Sequence, residues 1–248
     1  ISGGLGYILA GRTLQPIKDM VDEQNRFISD SSHELRTPLT SLKTAMEVTL
    51  RDKNLSLQQA KKLISENIGE VNKLQSLSDQ LLRLAQFEKP NGKLQFGKVS
   101  LEKIIKEAIR KIDPLAKQKQ ISIKKDLKDV EIKGNKDSLV DLFVILLDNA
   151  VKYSPSGSKV EVKSEKADAT VLVSVKDEGI GIDEKDFSHI FDRFFRADSA
   201  RSKDKADGYG LGLSIAKKIV NLHKGTIKVK SKISHGSTFI IQLPIHKS

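Results

Sequence analysis

From Ile17 to about Phe87, apolar residues recur at steps of three and four, the spacing that lines one face of an α-helix. Ile17, Val21, Gln24, Ile28, Ser31, Leu35, Pro38, Leu42, Ala45 and Thr49 mark one seam. Leu57, Ala60, Ile64, Asn67, Val71, Leu74, Ser78, Leu81 and Ala85 mark a second. These are heptad a and d positions with several polar occupants. The polar stretch RDKNLS at 51–56 separates the two and predicts an antiparallel helical hairpin. One hairpin cannot cover a stripe that also holds Leu63, Leu77 and Leu84, whereas two can as a four-helix bundle, so the pattern predicts a homodimer.

Pro90 and Gly92 in EKPNGK close the second helix, and the period then changes. Short alternating runs predict strands at 121–127, 159–165, 170–177, 226–232 and 237–245, with helical patterns between them at about 100–118, 137–153, 184–196 and 212–224. This order predicts an α/β sandwich with helices on one face of the sheet. The predicted organisation is therefore α plus α/β: residues 1–16 as a juxtamembrane stub, 17–90 as the hairpin and 91–248 as the sandwich. ADSARSKDKADG at 197–208 lacks large apolar groups and reads as a mobile loop.

Composition refines this only slightly. The 248 residues suffice for two cored domains, and 38% hydrophobic and 30% charged residues are those of a globular protein. No cysteine is present, so thiol chemistry, disulfides and Cys-ligated zinc are excluded. The net charge of +11 is spread through amphipathic segments without aromatic interleaving or a recognisable DNA-binding helix pair, so no nucleic-acid partner is expected. The chain begins at Ile1 rather than Met, and GGLGYILAG followed by Arg12 has about half the length of a bilayer span. The expectation is the end of a membrane helix with Arg12 at its cytoplasmic side, a cell-membrane protein whose remainder faces the cytoplasm.

Three stretches carry candidate chemistry. In TVLVSVKDEGIGI, parity puts Asp177 on the same face as Val171, Val173 and Val175, and a carboxylate ending a buried row needs a hydrogen-bond donor. Gly179 and Gly181 follow and permit close approach, so an amine-bearing ligand fits, though a turn aspartate would look the same. In LVDLFVILLDNAVKYS, Leu139, Leu142, Phe143, Leu146 and Ala150 form a core stripe, with Asp148, Asn149 and Lys152 off it. An amide oxygen beside an ammonium suits a magnesium–phosphate group, and it also suits a plain polar helix end. DGYGLGLSIAKKIV places glycines at 208, 210 and 212 before a helix, a phosphate-binding arrangement without the Walker A spacing. Arg196 stands beside Phe194 and Phe195, within reach of a terminal phosphate.

The order of these stretches behind SDSSHELRTPLT (29–40) closely resembles the cytoplasmic part of the sensor histidine kinases of two-component systems, over essentially all of residues 14–245. The resemblance implies a dimerisation and histidine-phosphotransfer hairpin, then an ATP-binding domain of the Bergerat type shared with gyrase and certain chaperones. It implies autophosphorylation from ATP with Mg²⁺ and transfer to an aspartate on a response-regulator receiver domain, with a phosphatase activity on that regulator. By position, His33 matches the phosphoacceptor, Glu34 its adjacent acid and Thr37 the threonine of the Glu-x-x-Thr motif. Asn149 matches the magnesium ligand, and Lys152 and Tyr153 match nucleotide contacts. Asp177 matches the acceptor from the adenine amine, with Gly179 and Gly181 as its glycine turn. Arg196 matches a phosphate-facing arginine, and Gly208, Gly210, Leu211, Gly212 and Leu213 the lid segment. HGSTF at 235–239, with Thr238, matches the last box. One departure is Ile145, where many members carry a further asparagine.

His33 falls between the seam positions Ser31 and Leu35, which predicts an accessible imidazole. A neutral imidazole nitrogen is a competent nucleophile near neutral pH. Pro38 cannot donate to the carbonyl of Glu34, which predicts a bend just past the histidine. Thr37 either holds a water for the regulator's phosphate or back-bonds to the His33 carbonyl.

Overall fold

The computed structural model describes the backbone of residues 2–88, 95–197 and 208–245; the side chains of residues 1–14, 16, 17, 19, 20, 23 and 88 lie outside that description. The chain divides into two compact units, residues 1–81 and 82–248. The expected domain boundary at 90/91 and most of the loop 197–208 fall outside the described residues.

Helices α1 (Ser2–Arg51) and α2 (Leu57–Glu88) form the hairpin. Asp52 turns the chain, its carboxylate accepting from Asn54 N–H at 2.9 Å. Ser56 and Gln59 then start α2 reciprocally: Ser56 N–H donates to Gln59 Oε1 (2.9 Å) and Gln59 N–H to Ser56 Oγ (3.3 Å), a capping box. From Ser31 onward the expected α1 seam holds, with Ser31, Leu35, Pro38, Leu42, Ala45 and Thr49 the less exposed positions. Val21 and Ile28 are exposed instead. On α2 the inner seam is Ala60, Leu63, Asn67, Leu74, Leu77, Leu81 and Leu84, while Ile64, Val71, Ser78 and Ala85 of the expected seam face outward. Both stripes have heptad spacing, so periodicity does not choose between them, and the leucine-rich one is the one buried. α1 continues as helix through Pro38. Among the described residues no helix is long and apolar enough to cross a membrane.

The second unit is an α/β sandwich. Helix α3 (Leu101–Gln118) starts at Ser100, whose hydroxyl accepts from Lys103 N–H, and buries Leu101, Ile104, Ile105, Ala108, Ile112 and Ala116. Helix α4 (Lys136–Tyr153) starts at Asn135, whose side chain accepts from Ser138 N–H, and α5 spans Gly212–Leu222. Strands β2 (Ser122–Asp126), β4 (Lys159–Ala167), β5 (Thr170–Lys176), β6 (Thr226–Lys232) and β7 (Gly236–Pro244) make a sheet ordered β2-β4-β5-β7-β6. β2 runs parallel to β4 and the other pairs are antiparallel. Val160, Val162, Val171, Val173, Val175, Phe239, Ile241 and Leu243 are buried, all on one face of the sheet, the face that the helices cover.

Two features depart from expectation. Strands β1 (Gly97–Ser100) and β3 (Glu131–Gly134) form a separate antiparallel pair that periodicity does not reveal, being only four residues each. The helix expected at 184–196 is a 3₁₀ turn at Glu184–Asp186 followed by successive turns. His189 N–H reaches Asp186 O (2.9 Å), Asp192 N–H reaches His189 O (2.8 Å), and Phe194 is left-handed at φ 60°, which no continuing helix tolerates.

Candidate functional site

The alternation of β5 carries one residue past its end and puts Asp177 in the interior, 5% exposed. Its Oδ1 accepts from Gly179 N–H (2.8 Å) and from Ser237 N–H (3.1 Å). Among the described residues no donor is recorded for Oδ2, and no side-chain oxygen is both fully buried and unpartnered, so Oδ2 remains available to a ligand donor. Burial pushes the carboxyl above the usual carboxylate range, and the two N–H bonds pull it part of the way back.

The glycine turn after Asp177 closes against the end of α4. A Cβ on Gly179 would stand 2.7 Å from Asp177 Oδ1 and 2.8 Å from the Tyr153 carbonyl, so only glycine lets these segments meet. Ile180 N–H donates to that carbonyl (3.3 Å), and Gly181, at φ 73°, passes against the Lys232 carbonyl. The last turn of α4 thus brings Asn149, Lys152 and Tyr153, all partly exposed, beside the Asp177 turn. Lys152 Nζ lies 5.7 Å from the Tyr153 ring centroid. Burial pushes the Tyr153 hydroxyl up, while the Arg196 charge pulls it down, which places Arg196 in the same neighbourhood. Asp148 is also pushed up by burial, opposed by Lys152 and Lys119.

The third glycine group reaches the same place. A Cβ on Gly208 would stand 2.8 Å from Lys152 Nζ, and one on Gly212 would stand 3.3 Å from Ile145 Cγ2. Gly210, at φ 72°, packs on the backbone of Phe194 and Phe195. Leu211 is fully buried and Leu213 partly so. α4, the Asp177 turn and the start of α5 thus frame one recess with a carboxylate at its floor and cations at its rim.

Thr238 does not belong to it. Its register with Lys176 and Lys230 sets its side chain on the outer sheet face, opposite Asp177. The residue beside Asp177 is Ser237, whose carbonyl accepts from Asp177 N–H (2.9 Å) and whose hydroxyl pairs with Ser231 Oγ (2.9 Å). A one-residue parity count from β7 could have found this. Lys119 carries no signal in the sequence.

On α1, His33 and Glu34 are exposed, as the seam predicts. Thr37 Oγ1 donates to the His33 carbonyl at 3.2 Å. Ser31 and Ser32 bond back likewise to Phe27 O (2.6 Å) and Ile28 O (2.7 Å), so three hydroxyls and one proline perturb the helix ladder around the histidine.

Comparison with known proteins covers both units. The profile described as His Kinase A (phospho-acceptor) domain matches residues 23–90, and that described as Histidine kinase-, DNA gyrase B-, and HSP90-like ATPase matches residues 134–247. The signal transduction histidine-protein kinase ArlS of Staphylococcus aureus is 34% identical over 228 residues, which is 92% of this chain and 50% of ArlS. The chain therefore spans about half the length of the curated relatives it matches. The solved structure of histidine kinase ThkA in complex with the response regulator protein TrrA aligns with a TM-score of 0.73 at 21% identity, covering 97% of this chain and 66% of that one. The Acinetobacter baumannii histidine kinase AdeS gives 0.70 at 23% identity, over 87% and 98%. These two structures share the fold.

Proposed function

Because this chain belongs to the histidine kinases of two-component systems, carrying their phosphoacceptor and ATPase domains in order, we propose that it binds ATP in the recess around Asp177 and transfers the γ-phosphoryl group to His33. The observation that carries this is the Asp177 carboxylate, held by two backbone N–H groups on Oδ1 and open on Oδ2. A buried acceptor with one committed oxygen suits an exocyclic amine such as that of adenine. Lys152, Arg196 and the backbone N–H groups at the start of α5 supply positive potential for the phosphates.

In the transfer, one neutral ring nitrogen of His33 attacks the γ-phosphorus, the N–P bond forms, the bond to the β,γ-bridging oxygen breaks and ADP leaves. Glu34, which must reach round the helix because i,i+1 neighbours do not face each other, takes the proton from the other ring nitrogen. Positioning and charge neutralisation supply most of the rate. Mg²⁺, when bound with ATP, would neutralise phosphate charge. Asn149 would offer it one amide oxygen, with phosphate oxygens of ATP and water as its other donors. Ile145 offers no donor.

The same reading makes the chain one half of a homodimer, with the outward stripe of α2 as its seam. The phosphoryl group passes from His33 to an aspartate on a response regulator, Thr37 assists the later hydrolysis in which water takes that group from the aspartate as inorganic phosphate, and the full-length protein sits in the cell membrane with this part on the cytoplasmic side. Incubation with γ-³²P-labelled ATP tests the core of it. Label retained in base and lost in acid is expected. Base-labile label would indicate a hydroxyl acceptor, and no label would leave a nucleotide-binding scaffold.

A further inference from the structure

The last four carbonyls of a helix have no partner inside it. In α4 those of Ala150, Val151, Lys152 and Tyr153 all have donors from elsewhere. Ser154 Oγ donates to Ala150 O at 2.6 Å, and Ile180 N–H donates to Tyr153 O at 3.3 Å. The middle two belong to one side chain: Lys119 Nζ donates to Val151 O at 3.1 Å and to Lys152 O at 2.7 Å. Its third contact is Ser154 O at 3.4 Å. An ammonium has three hydrogens and here meets three carbonyls.

The backbone aims this ammonium. Lys119 is the C-cap of α3, with its own N–H bonded to Leu115 O (3.2 Å). Gln120 follows in the left-handed region at φ 57°, and Ile121 N–H closes the turn on Ala116 O (2.8 Å). The Lys119 carbonyl accepts from Gly157 N–H (3.1 Å), so the chain leaving α4 is clipped to the same residue from a second side. A cation at a helix C-terminus is also favoured by the helix dipole.

The turn held in this way carries Asn149, Lys152 and Tyr153. We infer that Lys119 is a positioning residue for nucleotide binding: its ammonium locks the final turn of α4 and so sets the direction from which those three side chains meet the ligand. Without it, two or three carbonyls turn to solvent, the last turn frays, and the Lys152 and Tyr153 side chains lose their common orientation. Displacements near 1 Å in such a turn are enough to cost one to two orders of magnitude in binding or rate. The inference rests on the reading of the Asp177 recess as an ATP site.

The test compares Lys119→Met, which keeps the stem and removes the ammonium, with Lys119→Arg and with Ile112→Val, a core change in α3 away from α4's end. Equilibrium ATP affinity, KM and kcat for autophosphorylation, and thermal stability are measured on the whole chain. Lys119→Met should raise Kd and KM for ATP about tenfold with kcat at saturation within about threefold. Lys119→Arg, charged but unable to form the three-way contact, should recover part of that loss. Ile112→Val should lower the melting temperature with affinity unchanged. An unchanged Kd in Lys119→Met, or an equal rise in Ile112→Val at matched stability, would overturn the inference and leave Lys119 a residue of the fold alone. Should Lys119→Met not fold, Lys119→Gln, which retains one donor pair, carries the same comparison. A wild-type chain that binds no ATP would instead refute the reading of the recess, and the wild-type titration reveals that separately.

Discussion

The hairpin and the sandwich solve opposite problems with similar proportions of apolar residues. Among the described residues, eleven of the fourteen large apolar side chains that stand exposed lie on α1 and α2, among them Leu57 at 72%, Ile64 at 59% and Ile68 at 56%. The sandwich instead buries its apolar residues under its own helices and leaves few outside. Charge divides as sharply. Residues 1–88 hold eleven Lys and Arg against eleven Asp and Glu, while residues 89–248 hold 32 against 21, so the whole excess of +11 belongs to the second part. A neutral, two-sided helical surface suits the homodimer proposed above. A self-contained basic domain is built to attract a polyanion. The hairpin is thus an incomplete core awaiting a partner, and the sandwich a complete core awaiting a ligand.

The sharpest way to break that contrast is to disable each part alone. His33→Ala should reduce phosphorylation by about a thousandfold or more, since a transfer without its nucleophile has no substitute, while ATP affinity stays within about twofold. Asp177→Asn should raise the Kd for ATP at least about tenfold, because an amide presents its donor where the carboxylate accepts. Loss of ATP binding in His33→Ala, read by titration, would show that the two parts are not independent.

Next in size is the seam. Ile68→Glu places two like charges across the expected dimer axis and should weaken dimerisation by about a hundredfold, with ATP affinity unaltered. Sedimentation equilibrium reads the first and calorimetric titration the second. A dimer of unchanged strength would mean that the outward stripe of α2 is not the interface.

A smaller effect is expected at Thr37. Thr37→Ala should leave autophosphorylation within about threefold yet slow regulator dephosphorylation about tenfold, as judged by decay of a purified phospho-regulator with ADP present. The hydroxyl donates to the His33 carbonyl, but its lone pairs stay exposed and can hold a water. Equal loss of both activities would make the threonine a purely local part of the helix.

The smallest effect concerns the sandwich alone. His223 is 4% exposed: Nδ1 lies 2.8 Å from Ile219 O, to which it donates, and Nε2 accepts from Asn135 N–H at 3.0 Å. Burial pushes its pKa below the ordinary 6.5, opposed by the Ile219 bond. The unfolded chain therefore takes up the proton first as pH falls. The stability from neutral His223 is complete above about pH 6.5 and drains away below it. Melting temperature should drop by a few degrees, about 2–4 °C, between pH 7 and pH 5.5. In His223→Gln that slope should flatten. Asp148 and Asp177, both pushed up by burial, act with the opposite sign, and the comparison with His223→Gln separates the histidine's share from theirs.

Much of this molecule can be read from its sequence, because period-three-to-four and period-two spacing are local properties. The hairpin, α3, α4, α5 and all five strands of the main sheet follow from them, and parity alone brought Asp177 to the buried face. What spacing leaves open are choices between equal local solutions. Two heptad stripes on α2 compete, and burial picked Leu63, Leu77 and Leu84 over Ile64 and Val71. The run from Phe187 to Phe194 has helical spacing, yet it folds as turns, with Phe194 forced left-handed where Gly210 packs against its backbone. β7 needed its register before Ser237 rather than Thr238 could be set beside Asp177. Lys119 and Ala150–Ser154 lie more than thirty residues apart, and only the packing of α3 against the end of α4 brings one ammonium to three carbonyls. Sequence by itself thus determined most of the elements and the stretches that hold the candidate chemistry. The tertiary structure decided which face, which neighbour and which donor, since those depend on contacts that no local pattern contains.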